Sequence, residues 1–110
     1  YAQRVDEILQ IAKEYGAKVL WYEIPPVKRQ TLNAKIQVIN DIFKEESDKN
    51  SEIFIQTAQA LSGGTEYSSY IRDENNKSIK VRADDGVHFN IKGAKIMSEL
   101  LLQHFEGGAL

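Results

Sequence analysis

Lys18-Val19-Leu20-Trp21-Tyr22-Glu23-Ile24-Pro25-Pro26 is the stretch that decides the fold. Four large apolar or aromatic residues stand in succession at 19–22, shortly after Gly16 stops a helical pattern. A strand with one wet face alternates apolar and polar; a continuous run of this length reads as a strand covered on both faces of a parallel sheet. The two prolines end it, because neither can donate to a sheet ladder. Upstream, Val5, Ile8, Leu9 and Ala12 recur at helical spacing, with Arg4, Glu7, Lys13 and Glu14 between them. That pattern predicts a helix over residues 2–15 packed on one face.

Downstream, Leu32, Ile36, Ile39 and Phe43 predict a second helix over residues 31–47, and Ser47-Asp48-Lys49-Asn50 predicts the turn that ends it. Residues 52–56 form a second short apolar strand. Ser62-Gly63-Gly64-Thr65 reads as a loop, and Asp73-Glu74-Asn75-Asn76 turns a small hairpin between Tyr70-Ile71 and Ile79-Lys80-Val81. Asn90 caps a last helix through about Phe105 that carries Ala94, Met97 and Leu101 inward, and Gly107-Gly108 closes it. Helices alternating with strands predict an α/β fold: a parallel sheet with helices on both faces. Only two core strands are present, against about five or six in a typical sheet. The chain opens at Tyr1, almost directly into a helical stripe, so it is expected to be part of a longer domain.

With 110 residues there is room for one domain, and 42% hydrophobic against 27% charged residues excludes wholesale disorder. Fourteen Lys and Arg against 16 Asp and Glu give a net charge of −2, which argues against a nucleic-acid partner held by bulk electrostatics. No apolar run approaches the ~18 residues a membrane-spanning helix needs. Without cysteine there is no disulfide, no thiolate nucleophile and no thiolate ligand.

Chemistry concentrates in Val81-Arg82-Ala83-Asp84-Asp85-Gly86-Val87-His88-Phe89-Asn90. In a tight turn a carboxylate can accept a hydrogen bond from the ring of a histidine three residues on. That bond fixes the imidazole tautomer and supports the imidazolium formed when the other ring nitrogen takes a proton. Gly86 leaves the short arc free to bend. Asp85 and His88 thus read as an acid–base pair serving a nucleophile located elsewhere, or as a turn carboxylate and a surface histidine at a helix entry. Asp84, Asp85 and His88 carry metal-ligand atoms, but adjacent aspartates diverge and no second His or Glu stands at ligand spacing, so neither metal nor cofactor is expected. Asp84 is expected to be solvated or paired with Arg82. Pro25 and Pro26 either line a substrate cleft beyond the carboxyl ends of the strands or form only a rigid exit. Tyr67-Ser68-Ser69-Tyr70 reads as a lid-like segment near the pair or as an exposed polar loop.

Asp85-Gly86-Val87-His88-Phe89, with Gly93 four residues beyond, resembles the last motif block of the SGNH/GDSL hydrolases. Residues 19–26 look like that family's late strand with its proline-bearing exit, and Leu32-Asn33 to Ile39-Asn40 like the helix that follows. The resemblance spans nearly the whole chain. It implies a three-layer parallel sandwich of flavodoxin-like type, of which residues 1–110 supply the C-terminal part: two core strands, about three helices and a small hairpin. It also implies that His88 and Asp85 complete a Ser-His-Asp triad for acyl-ester hydrolysis or transfer. The substrates implied are small esters such as O-acetyl groups on carbohydrate, in a periplasmic or secreted setting. The family's Gly-Asp-Ser, Gly and Gly-x-Asn blocks are not in this sequence, and none of its seven serines stands in a Gly-Asp-Ser context. The expected partner is therefore the N-terminal half of such a domain, or another copy of the chain, covering the sheet edge. A different reading is a non-catalytic α/β module that binds a protein through that edge.

Overall fold

Val5 and Leu9, one helical turn apart, are the two residues that α1 (Ala2–Glu14) buries, in a computed structural model that describes residues 2–106. They meet Phe43 of α2 (Gln30–Lys49), and Val19, Trp21, Ile24, Ile39, Ile42 and Phe54 close around these three. Trp21 lies against Phe43 with ring centroids 4.7 Å apart at 47°, so the tryptophan is a core residue. The sheet that carries Trp21 consists of β1 (Leu20–Tyr22) and β2 (Ile53–Ile55), parallel and adjacent, with Leu20 opposite Ile53, Trp21 opposite Phe54 and Tyr22 opposite Ile55. The ladder continues beyond both strands: Ile53 N–H donates to Val19 C=O at 3.2 Å, and Glu23 N–H to Ile55 C=O at 2.8 Å.

Side chains alternate across a strand, so Trp21 faces α1 and α2 while Tyr22 faces the opposite side. There its hydroxyl donates to the Met97 carbonyl, at 2.8 Å, within α4 (Ile91–Glu106). Helices therefore cover both faces, and the fold is a mixed α/β arrangement around a small parallel sheet. The expected hairpin is present as β3 (Tyr70–Arg72) antiparallel to β4 (Ser78–Lys80). Asp73 Oδ1 closes its turn by accepting from Asn75 N–H at 2.9 Å and Lys77 N–H at 2.8 Å. No helix among the described residues is long and apolar enough to cross a membrane.

Several local expectations need correction. β1 is half-buried along its length rather than fully buried: helices lie on both faces, but β2 pairs with one edge only. The peptide groups of Leu20 and Tyr22 alternate with those that bond β2 and face the other way, where the described residues supply no further strand. The second helix runs to Lys49, past the expected turn at 47. Ser47 is fully buried, and the Lys44–Asp48 and Glu46–Lys49 pairs supply the i,i+4 and i,i+3 contacts that favour one more turn. Ile8 is 52% exposed, so the inward stripe of α1 is narrower than the sequence pattern. A fourth helix, the single-turn α3 (Ala58–Ser62), anchors on Leu61, which is fully buried. Gly107 and Gly108 lie outside the described residues.

The last helix begins where expected: Asn90 Oδ1 accepts from Gly93 N–H at 2.9 Å, the bond an N-cap makes to the third helical residue. Ala94, however, is exposed, and Gly93 is the small residue turned inward. A Cβ on Gly93 would stand 2.0 Å from the Val81 carbonyl oxygen and 3.2 Å from Phe89 Cβ. The obstacle is main chain, so it cannot swing aside. Gly93→Ala is expected to force α4 off Val81 and destabilise the protein by about 2–3 kcal/mol, in the range of overpacked cores. Urea denaturation measures this, and a variant within about 0.5 kcal/mol of the parent, the level of a neutral surface change, would contradict it.

Candidate functional site

Two helical asparagines hold the exit of β1. Asn40 Oδ1 accepts from Ile24 N–H and its Nδ2 donates to Ile24 C=O, both at 2.8 Å. Asn33, seven residues earlier and so on the same face of α2, does the same for Val27, again at 2.8 Å both ways. Each carboxamide plays the part of a neighbouring strand for the residue on one side of Pro25-Pro26. The prolines have no N–H to satisfy, which is why an extended segment can leave the sheet here without orphaned donors. Pro26 lines a small cleft of about 90 Å³ beyond β1, together with Glu23, Asn33, Asn40 and Thr65. Pro25 is buried.

The Asp85–His88 turn hangs from this exit. Lys28 N–H donates to Gly86 C=O at 3.0 Å. From the other side, Arg82 donates through Nη1 to Pro26 C=O at 2.7 Å and through Nη2 to Val87 C=O at 2.8 Å. The turn is closed internally by Ala83 N–H to His88 C=O at 2.8 Å and Gly86 N–H to Ala83 C=O at 3.2 Å. Gly86 sits at φ 73°, the left-handed region that a side chain rarely tolerates.

Within that arc Asp85 serves both main chain and ring. Its Oδ1 accepts from Val87 N–H at 2.8 Å and His88 N–H at 2.9 Å. Its Oδ2 pairs with His88 Nδ1. The imidazole is thus oriented through the nitrogen nearer the backbone, and Nε2 has no hydrogen-bond partner among the described residues. The His88 side chain is 78% exposed and that of Asp85 48%. The bond from the His88 ring, followed by the Val87 and His88 N–H groups, holds the Asp85 carboxyl down at about 2. It is a carboxylate around neutral pH, and as such it favours the Nδ1–H tautomer. In that tautomer the outward Nε2 carries a lone pair, which is the chemistry a hydroxyl proton needs in an acceptor.

Asp84 does not pair with Arg82. It turns outward to Lys80, whose ammonium lowers the Asp84 pKa while Asp84 raises that of Lys80. Arg82 is instead 1% exposed, and its guanidinium lies 5.2 Å from the ring centroids of both Tyr67 and Phe89. Tyr67, read as loop or lid, packs onto that cation. Neither role carries a signal in the sequence, because a buried arginine bound to carbonyls is spelled like a solvated one. The paired asparagines had only their seven-residue spacing on an otherwise apolar stripe.

The fold and this turn define a mixed α/β domain with an Asp-x-x-His element at the entry of its last helix. By its sequence the chain belongs to the family described as protein of unknown function (DUF459), whose model matches residues 1–104. In structure it is similar to a GDSL-like lipase from Bacteroides thetaiotaomicron, with a TM-score of 0.68 and 21% identity over 97% of this chain and 51% of that one. The likeness is one of fold, and the chain spans about half the length of that lipase. No curated protein matches the sequence.

Proposed function

We propose that this chain is the C-terminal portion of an SGNH-type serine ester hydrolase and supplies its general base and orienting acid. The observation that carries the reading is the Asp85 carboxylate on His88 Nδ1, with Nε2 open to solvent. A serine hydroxyl from the N-terminal half gives its proton to Nε2 as its oxygen attacks the ester carbonyl. The imidazolium then returns that proton to the leaving alcohol as the C–O bond breaks, leaving an acyl-enzyme that water releases by the same route. Oxyanion donors also come from that half. The substrates are small acyl esters, O-acetyl groups on carbohydrate or cell-wall polymers among them, in the periplasm or outside the cell. Pro26 and the cleft beside it border the acyl or alcohol side.

The test uses the longer protein that contains this chain. It is expected to hydrolyse p-nitrophenyl acetate and to be labelled on one serine by a fluorophosphonate. The 110-residue chain alone is expected to do neither, since it has no Gly-Asp-Ser nucleophile. A longer protein that neither turns over nor labels sinks the proposal. Turnover by the isolated chain, lost on His88→Ala, places the nucleophile among its own seven serines instead.

A further inference from the structure

Arg82 is the largest fully buried side chain among the described residues. It has no carboxylate bonded to it: its acceptors are the main-chain carbonyls of Pro26 and Val87, and its Nε–H meets no acceptor among the described residues. Burial lowers its pKa, against a weaker pull from Tyr67 and Asp85. Desolvating a guanidinium is expensive, and a methionine or leucine would fill the gap between Tyr67 and Phe89 without that cost. What neither could do is hold two carbonyls from different segments on one planar fork.

The identity of the two carbonyls gives the fork its meaning. Pro26 lies on the exit of β1, at the cleft; Val87 immediately precedes His88. The geometry inside the turn depends on Asp85 Oδ1, Asp85 Oδ2 and the φ of Gly86, and none of these fixes where the turn stands relative to the sheet. Among the described residues, the hydrogen bonds that tie the turn directly to the exit of β1 are Lys28 N–H to Gly86 C=O and the Pro26 arm of the fork. We propose that Arg82 is a positioning residue for His88, its guanidinium setting the distance between the exit of β1 and the turn that carries the imidazole. The inference depends on His88 being the general base of the proposed hydrolase.

Arg82→Lys tests it, because lysine keeps the charge and loses the two-pronged geometry. In the longer protein kcat is expected to fall about 10²-fold with KM unchanged, the effect of a misplacement on the order of 1 Å. The Asp85 carboxyl should still titrate near 2, since its own bonds are untouched. Amide exchange at Lys28 should accelerate, while that at Val87 and His88 should not. Native kcat in a folded Arg82→Lys variant overturns the proposal. So does a loss of kcat in which Asp85 returns to the ordinary carboxylate range, for then the pair itself has collapsed. Should Arg82→Lys fail to fold, Tyr67→Leu carries the same test: it removes one face of the stack, so the guanidinium can tilt and its bonds to the Pro26 and Val87 carbonyls loosen. A smaller loss of kcat with faster Lys28 exchange supports the proposal, and native kcat overturns it. Failure of the hydrolase reading looks different, since there His88→Ala keeps its activity. An inactive His88→Ala beside a fully active Arg82→Lys removes the Arg82 proposal alone.

Discussion

In the proposed full-length hydrolase, His88→Ala is expected to lower kcat/KM for an acetyl ester by about a millionfold, the scale seen when a triad base is removed. No other described group can take over. His104, the only other histidine, is on the last turn of α4, and Lys80 and Asp84 neutralise each other outside the turn. The fold should not suffer. The imidazole is mostly solvated, and its main-chain N–H, which holds the turn through Asp85 Oδ1, survives the substitution. Loss of turnover with a cooperative urea transition, its midpoint lowered only by the loss of the exposed Asp85–His88 contact, is therefore the expected pair of results. Near-normal kcat/KM would return Asp85 and His88 to a helix-entry turn.

What could be read from the sequence follows from how local each feature is. The run at 19–22 is apolar on consecutive positions, which few structures other than a covered strand can use, so the parallel pairing with Ile53–Ile55 was legible. Asp73 to Asn76 spell a turn in side chains that bond their own backbone, and the hairpin forms there. The Asp-Gly-Val-His spacing is local too: one flexible residue and three peptide bonds bring carboxylate and ring together. The misreadings are all tertiary. Ser47-Asp48-Lys49 has turn composition, but Ser47 lands in the interior and ion pairs extend the helix past it. Ala94 fits the apolar stripe of α4, yet the helix approaches Val81 so closely that only Gly93 can face it. Arg82 is polar by composition and buried by the two rings and two carbonyls that long-range folding brings to it.

Those same long-range contacts connect fold to site. Asn33 and Asn40 fix the exit of β1 by imitating a neighbouring strand, and Lys28 and Arg82 tie the turn to that exit. An imidazole that is mostly solvated is thereby referenced to the most buried part of the molecule. The proposed general base, with its nucleophile on the proposed N-terminal half, would need that reference, because proton transfer tolerates heavy-atom separations of only about 2.6–3.2 Å.

Asp85→Asn is the second large expected effect, and its cause differs from that of His88→Ala. The carboxamide oxygen can still accept from Val87 and His88 N–H, so the turn should keep its shape. The amide nitrogen then replaces Oδ2 and faces His88 Nδ1 with a donor. To avoid donor against donor, the ring moves its proton to Nε2, the position that must be empty to act as base. Activity should drop by about 10⁴-fold, roughly two orders of magnitude less than on losing His88, because a minor tautomer still serves. The pH dependence separates the two causes. The parent carboxyl is held at about 2, below its ordinary range, so its stabilising bond to the ring is present at neutral pH and is lost only as pH falls toward that value. Asp85 therefore contributes no step to an activity profile between pH 5 and 8. In Asp85→Asn the activity should be low across that whole interval, with 15N spectra of His88 showing the proton on Nε2. If the variant keeps the proton on Nδ1 and still loses activity, orientation by Asp85 is not what the reaction requires.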